Sequence, residues 1–284
     1  MTTVDLAPAG PDPLPADLAA ALVAAASRLG PFGHTVLFYE STGSTNDLAA
    51  ARVAAGPCEG LVIVAGTQTA GRGRRGRQWF SPPVGGLYVS VVLTPSRARA
   101  DPARATAILT LAAGVAIAEG IDAAAGIAAG LKWPNDLQID GRKVAGILAD
   151  GFPGREGGQG IETVVLGFGI NVGPMRHPPE LEAIATSLER ELGRPIDRWT
   201  VLADTLCALA RRYQQLLAGS PGNFDAILDA WRARARGAEG RRVSWIGSAG
   251  RRSGTTAGID DHGALLVHTL AGVERIVSGE VEWV

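Results

Sequence analysis

Leu61-Val62-Ile63-Val64-Ala65, Gly71-Arg72-Gly73-Arg74-Arg75-Gly76-Arg77 and Leu87-Tyr88-Val89-Ser90-Val91-Val92-Leu93 follow one another in the first third of the chain. The outer two runs are short, apolar and rich in β-branched residues, which predicts two buried strands of a sheet. The middle run joins them at their ends and sets four arginines into six positions, spaced by glycine. Glycine lets the backbone turn freely and approach a ligand closely. Arginine supplies a permanent charge and a planar fork of donors that fits phosphate or carboxylate. Mutually repelling cations on a short, pliable tether predict a flap that closes over a polyanion. The competing reading is an Arg-Gly arm for nucleic acid. Such an arm is usually terminal and repetitive, so this brief, internal loop favours a small anionic ligand.

The chain as a whole agrees. Its 284 residues accommodate one large domain and a small one, and 46% hydrophobic content supports a substantial core. The formal net charge of -1 makes the arginine cluster a local feature, whereas nucleic-acid proteins tend to be basic throughout. Cys58 and Cys207 have no metal-ligand spacing and give no disulfide framework. The N-terminus carries Asp5, Asp12 and Asp17 among prolines, unlike a secretory signal. The longest uncharged apolar stretch, Ala105 to Ala118, has fourteen residues, short of the roughly 20 that span a bilayer. A cytoplasmic protein without a membrane partner is expected.

Residues 1 to about 15 are expected to be loose, followed by a helix over 16–29, a strand at 36–39 and a short helix at 47–55. A long helix is predicted over 102–121, where Pro102 suits the first turn. Strands follow at 131–139 and 143–149. Asp140-Gly141 between them is a strong hairpin signal, because its turn needs two positive φ angles. A third strand covers 161–172 after a glycine-rich surface loop at 151–160, and helices are predicted at 188–192, 198–217 and 224–236. From Gly240 onward only short alternating pieces remain, at 242–246, 255–259, 264–267 and 273–277, with turns at Gly250, Gly263 and Gly272. That pattern predicts a small barrel packed on the main domain.

Two further segments stand out. Lys132-Trp133-Pro134-Asn135-Asp136 puts a lysine, an amide and a carboxylate into an otherwise apolar strand. A half-buried lysine is costly unless it meets an anion; a solvated edge strand is the alternative. Gly167-Phe168-Gly169-Ile170-Asn171-Val172 ends a β-branched strand. Alternation places Gly167, Gly169 and Asn171 on one face, leaving a groove for a ligand against backbone, with an amide able to read an adenine edge. Tight strand packing is the alternative.

The three segments, in this order, resemble those of the biotin protein ligases. The family's Gly-Arg-Gly-Arg-Arg-Gly-Arg loop matches 71–77, its Lys-Trp-Pro-Asn-Asp matches 132–136, and its Gly-x-Gly-Ile-Asn-Val matches 167–172. Ser44-Thr45-Asn46, Gln68 and Trp79 match further family positions, and the resemblance runs from about residue 36 to 284. It implies an α+β fold: a mixed β-sheet with helices, class II synthetase-like, over residues 1–236, with 1–35 as an N-terminal extension. A small C-terminal SH3-like β-barrel would occupy 237–284. Some family members begin with a DNA-binding winged helix; about 35 residues precede the catalytic region here, so the monofunctional type is expected, with no DNA partner.

The resemblance implies ATP-dependent activation of biotin to biotinyl-5′-AMP. Biotin then passes to a lysine of a biotin carboxyl carrier protein of acetyl-CoA carboxylase or a related carboxylase. ATP, Mg2+ and biotin are the implied small molecules; magnesium ligands are not evident, with Asp136 read chiefly as structural, and a homodimer is left open. Ser44, Thr45, Asn46, Gln68, Gly71, Arg72, Lys132, Gly167 and Gly169 would hold biotin. Arg74, Arg77, Trp79, Lys132 and Asn171 would hold the nucleotide, with Lys132 and Arg74 catalytic. Ordering seven loop residues at roughly 1–2 kcal/mol each costs about 7–14 kcal/mol at most, so the flap is expected to order only over its ligand. A lipoate or octanoate ligase, a biotin-responsive regulator and a degenerate pseudoenzyme are the alternatives; intact Arg74 and Lys132 oppose the last.

Overall fold

The computed structural model describes residues 10–154, 160–175, 178–235, 237–247, 250–279 and 281–283. Twelve strands and seven α-helices alternate along them. The first half comprises α1 (Ala16–Ala25), β1 (Val36–Thr42), α2 (Thr45–Ala55), β2 (Val62–Gln68), β3 (Gly86–Leu93) and α3 (Pro102–Ala125). Next come β4 (Gly130–Lys132), β5 (Asp136–Ile139), β6 (Arg142–Pro153), β7 (Ile161–Asn171), α4 (Pro179–Glu182) and α5 (Leu188–Leu192). The chain then forms α6 (Arg198–Ala218), α7 (Pro221–Arg234), β8 (Glu239–Gly247), β9 (Gly250–Ile259), β10 (Leu265–Thr269), β11 (Gly272–Ile276) and β12 (Val281–Trp283).

Seven strands build one sheet in the order β1-β2-β3-β7-β6-β5-β4. Only β1 and β2 run parallel, so the sheet is mixed, as expected. Long helices cover one face. α3 is stopped at both ends by its chemistry: Asp101 accepts from the Arg104 N–H, Pro102 opens the first turn, and Gly126 ends the helix in the left-handed region at φ 68°. α6 has the same design, with Asp197 as cap and Gly219 at φ 67°. By length and composition α3 could cross a membrane, with a mean hydropathy of 1.6, yet 67% of that stretch is buried against the protein. Its apolar surface is therefore core, packed on α6 and the sheet. The other face of the sheet carries α2, packed over Tyr39, Ile63, Val92 and Val165, and the loop that follows β2, beside which the strands present Gly146, Gly167 and Gly169.

Several expectations are corrected. Of the segment expected to be loose, residues 1–9 lie outside the described residues. Residues 10–15 meet the edge of β1, where the Asp12 N–H donates to the Phe38 carbonyl and its carboxylate accepts from the Glu40 N–H. The predicted single strand over 131–139 is two antiparallel strands, β4 and β5, with Lys132 facing Asp136 in register. Trp133, Pro134 and Asn135 form the turn between them, and the Trp133–Pro134 peptide is cis. Leu131, Leu137 and Ile139 kept an alternating pattern across that turn, which disguised it. The hairpin at Asp140-Gly141 is present, with φ 47° and 77°. β6 continues to Pro153, into the stretch read as a loop, while 155–159 lie outside the described residues.

The last five strands form an antiparallel sheet, β11-β10-β9-β8-β12. The sequence pattern showed four of them and missed β12. Among the described residues no pairing joins β11 to β12, so this is a barrel-like sheet rather than a closed cylinder. It shares the main core: Val243, Trp245, Leu265 and Val267 belong to the same buried cluster as α3. A buried hydrogen bond also crosses over, from the Trp133 indole N–H to the Gly263 carbonyl at 3.0 Å.

Candidate active site

A cleft of about 470 Å³ opens on the face opposite the long helices. Gly146, Leu148, Gly167 and Gly169 line its floor, where two cross-strand rows run side by side. Tyr88, Gly169 and Gly146 are in register across β3, β7 and β6; Ser90, Gly167 and Leu148 form the next row. Ser44, Thr45, Asn46, Gln68, Arg72, Arg74, Arg77, Trp79, Lys132, Gly167, Gly169 and Asn171 all line it. Segments more than a hundred residues apart thus meet in one place. Gly71 does not line the cleft. A Cβ there would lie 2.6 Å from the Trp79 carbonyl oxygen and 2.7 Å from Ser81 Oγ, so glycine is needed for backbone packing at the base of the loop.

One end of the cleft is a hydrogen-bonded polar wall. Helix α2 begins earlier than the sequence suggested, so Ser44 is its N-cap and Thr45 and Asn46 its first turn. All three are buried. Gln68 Oε1 accepts from the Thr45 backbone N–H at 2.8 Å and from its hydroxyl at 3.2 Å, capping the helix from the end of β2. Gln68 Nε2 donates to Ser81 Oγ at 3.0 Å. Ser90 Oγ lies 2.8 Å from Thr45 Oγ1 and 2.6 Å from Asn46 Oδ1. Asn46 Nδ2 donates to Asp150, which also receives Arg72 Nη1 at 3.1 Å; Asp47 takes the same guanidinium at 2.9 Å. These bonds fix the orientation of each polar side chain, and preorganised donors and acceptors are what a small polar ligand needs.

The glycine groove is not open as the alternating pattern implied. A Cβ on Gly167 would fall 2.0 Å from Asn46 Oδ1, and one on Gly169 would fall 2.3 Å from the Trp79 ring. A Cβ on Gly146 would likewise fall 2.9 Å from the indole. The glycines accept protein side chains, and Trp79 lies across the Gly146–Gly169 pair as a wall of the cleft. Its indole N–H is buried without a hydrogen-bond partner. Asn171 is buried and donates to the Thr186 carbonyl at 3.0 Å, so one hydrogen of its amide is already committed.

The other end is cationic. Arg74 Nη1 donates to Asn135 Oδ1 at 3.2 Å, joining the arginine loop to the turn after β4. Asn135 is itself tied to β6, donating to the Ile147 carbonyl at 2.7 Å while its own carbonyl accepts the Ile147 N–H at 3.0 Å. The loop closes on itself through Gly73 N–H to Arg77 O at 2.7 Å, with Arg75 in the left-handed region at φ 56°. Lys132 Nζ stands 5.7 Å from the centre of the Trp283 ring.

Sequence reasoning missed Lys143. Its ammonium pairs with Asp136 at 2.6 Å and sits 5.3 Å from the Trp79 ring centre, inside the cleft. Strict alternation along β6 would group residue 143 with 145, away from Gly146. A bulge intervenes, since Ala145 faces Leu137 but Lys143 faces Gln138. The extra residue turns Lys143 onto the Gly146 side. The apolar rim at Leu181, Ile184 and Ala185 was also unforeseen. It is held by Lys143 N–H to Ile184 O at 2.8 Å and Thr186 N–H to Lys143 O at 2.9 Å.

A mixed α+β sheet bearing a cleft with a fixed polar end and a cationic end defines a class of site, one for an elongated ligand that is polar at one tip and anionic at the other. Comparison with known proteins narrows that class. Residues 38–171 match the Biotin/lipoate A/B protein ligase family and residues 240–283 the biotin protein ligase C-terminal domain. The biotin--[acetyl-CoA-carboxylase] ligase of Paracoccus denitrificans is 36% identical over 245 residues, covering 84% of this chain and 97% of that one. The bifunctional ligase/repressor BirA of Bacillus subtilis is 36% identical over 252 residues, or 88% of this chain and 74% of its own length. The structure of the Aquifex aeolicus biotin protein ligase in complex with biotin and ATP superposes with a TM-score of 0.72 at 28% identity, covering 88% of this chain and 99% of that one. The chain belongs to the biotin protein ligase family.

Proposed function

We propose that the protein is an ATP-dependent biotin–protein ligase. Biotin carboxylate oxygen attacks the α-phosphorus of ATP, the bond to the bridging oxygen of pyrophosphate breaks, and biotinyl-5′-AMP forms. A lysine amine of a biotin carboxyl carrier domain then attacks the acyl carbon. AMP leaves, and the amine loses a proton as the amide forms. The observation that carries this reading is the meeting of the polar wall and the cationic end in one cleft of the size and polarity these ligands need.

In this reading Ser44, Thr45, Asn46, Gln68 and Arg72 hold the ureido ring and tail, with Gly71 packing the base of the loop behind them and Gly167 and Gly169 keeping the floor low. A ureido group offers one carbonyl and two N–H groups, which suits hydroxyl and amide partners. Arg74, Arg77 and Lys132 neutralise the carboxylate and phosphates, and Lys143 supplies a further ammonium. Trp79 stacks on or covers the adenine, and Asn171 reads its edge with the amide atoms left over from Thr186. Fixed cations aimed where charge builds up are the strongest aid a protein gives such a step. ATP enters as its magnesium complex. Among the described residues no group of three or more His, Cys, Asp or Glu could hold the ion, and Asp136 is the acidic residue at the cleft. Bound with ATP, the ion would neutralise phosphate charge, with Asp136 the carboxylate lining the cleft beside it. The catalytic unit spans residues 1–236 and the small unit 237–284.

The test is intact-mass analysis of a carrier domain incubated with the protein, offering biotin and lipoate in separate arms. The expected result is one biotinyl addition on a lysine, requiring both biotin and ATP. Transfer of lipoate instead, or no transfer, defeats the proposal.

A further inference from the structure

The last strand of the small sheet reaches into the cleft. Gly279 and Val281 line it, and a Cβ on Gly279 would sit 3.6 Å from Arg75 Nη2. Trp283 continues the same face, two residues on, and its ring is the one beside Lys132. Glu282 points the other way and pairs with Arg251 at 2.7 Å. Strand β12 is held in register by β8, with Val281 opposite Trp245 and Trp283 opposite Val243. The Trp283 ring is seated against Gly237, where a Cβ would lie 3.2 Å from Cζ3, and its indole N–H is buried with no hydrogen-bond partner. No hydrogen bond orients this indole; packing does, and packing presents the ring to the ammonium.

From this geometry we infer that Trp283 is a positioning residue for Lys132 in adenylate formation, an inference that rests on the biotin-ligase reading above. Lys132 must keep its full charge and a fixed place while anions arrive. An aromatic face attracts the cation without adding net charge. Lys132 is carried on the short strand β4, so a contact from the facing unit limits the sweep of its flexible stem. The small sheet thereby takes part in the first half-reaction, before any acceptor arrives.

Single-turnover formation of biotinyl-AMP by the full-length chain tests this, with biotin and magnesium-ATP as the probes. Trp283→Leu is expected to lower the adenylation rate by about tenfold while the half-saturating biotin and ATP concentrations move by less than about twofold. Trp283→Phe, which keeps an aromatic face, is expected to recover most of the rate. In a Lys132→Met background, Trp283→Leu is expected to add no further loss, because its effect runs through the ammonium. If Trp283→Leu does not fold, Trp283→Phe compared with Trp283→Met provides the same contrast. Equal rates for wild type and the Leu or Met variant, equal losses for aromatic and aliphatic variants, or an undiminished effect in the Lys132→Met background would each overturn the inference alone. A wild-type chain that forms no biotinyl-AMP overturns the ligase reading and this inference with it.

Discussion

The loop at 71–77 carries Arg72, Arg75 and Arg77 exposed and Arg74 half-buried, whereas the turn at 132–136 carries one lysine on a frame rooted in the core. The loop is held by its own short bonds and by the ion pairs of Arg72 with Asp47 and Asp150. Exposed ion pairs contribute little. The turn is anchored by the buried Trp133 ring, by two Asn135–Ile147 hydrogen bonds and by the bond to Gly263. The hydrogen bond from Arg74 to Asn135 connects them. The difference suggests a division of labour. In the ligase reading the turn would place one cation before the ligand arrives, and the loop would bring several more once it is there. Closing would also shield the reactive mixed anhydride from water.

The largest expected effect tests the fixed side. Lys132→Ala should lower the rate of adenylate formation by about 10²–10³-fold, the range for losing one preorganised charge-stabilising group, while biotin binding by calorimetry survives in weakened form. Next, Trp133→Ala should cost about 3–5 kcal/mol in denaturant unfolding, as expected for a deleted buried indole; a cost below about 1 kcal/mol would mean the turn is not anchored as described. Arg74→Ala should speed dissociation of biotinyl-AMP by about 10–100-fold, equivalent to one charged hydrogen bond, with an unfolding midpoint close to wild type. On the loop itself, trypsin cleavage after Arg72–Arg77 should slow several-fold when biotin and ATP are both present; identical cleavage with and without them would end the flap idea.

The smallest effect concerns pH and the anchor's far end. Burial pushes the Asp260 carboxyl up, but the Arg275 guanidinium and the N–H groups of Ala264 and His262 outweigh it and hold the group below its ordinary range. A depressed carboxylate lends stability at pH above the ordinary carboxylate range, and that stability fades as pH falls through the folded value. Asp260 shapes the turn that presents Gly263, whose N–H donates to the Asp260 carbonyl at 3.0 Å. Asp260→Asn should therefore cost about 1 kcal/mol at neutral pH and flatten the acid side of the stability profile.

Much of this was legible in the chain. Apolar runs, the Asp140-Gly141 turn and the capped helices gave the main elements because each is a local signal. The three motif segments gave the cleft because their residue types are costly anywhere else. What escaped depended on long-range packing. The bulge before Gly146 that turns Lys143 inward has no marker in the residues around it. The turn at Trp133-Pro134-Asn135 was masked by leucines on both sides in strand-like alternation. That Gly167 and Gly169 make room for Asn46 and Trp79 could not be read without knowing what packs above them. Strand β12 is three residues long, too short to show a period.

The hydrogen bond from Trp133 to Gly263 has a practical consequence for anyone cutting this chain apart. Ending it near residue 237 would strand an indole N–H inside the remaining piece and strip the cover from its ring. Such a fragment would misbehave as a folding mutant, and its lost activity would be mistaken for lost acceptor recognition. Chimeras between relatives face the same constraint: the small sheet has to travel with a turn that meets residue 133, because what looks modular along the chain is keyed like a dovetail joint in space.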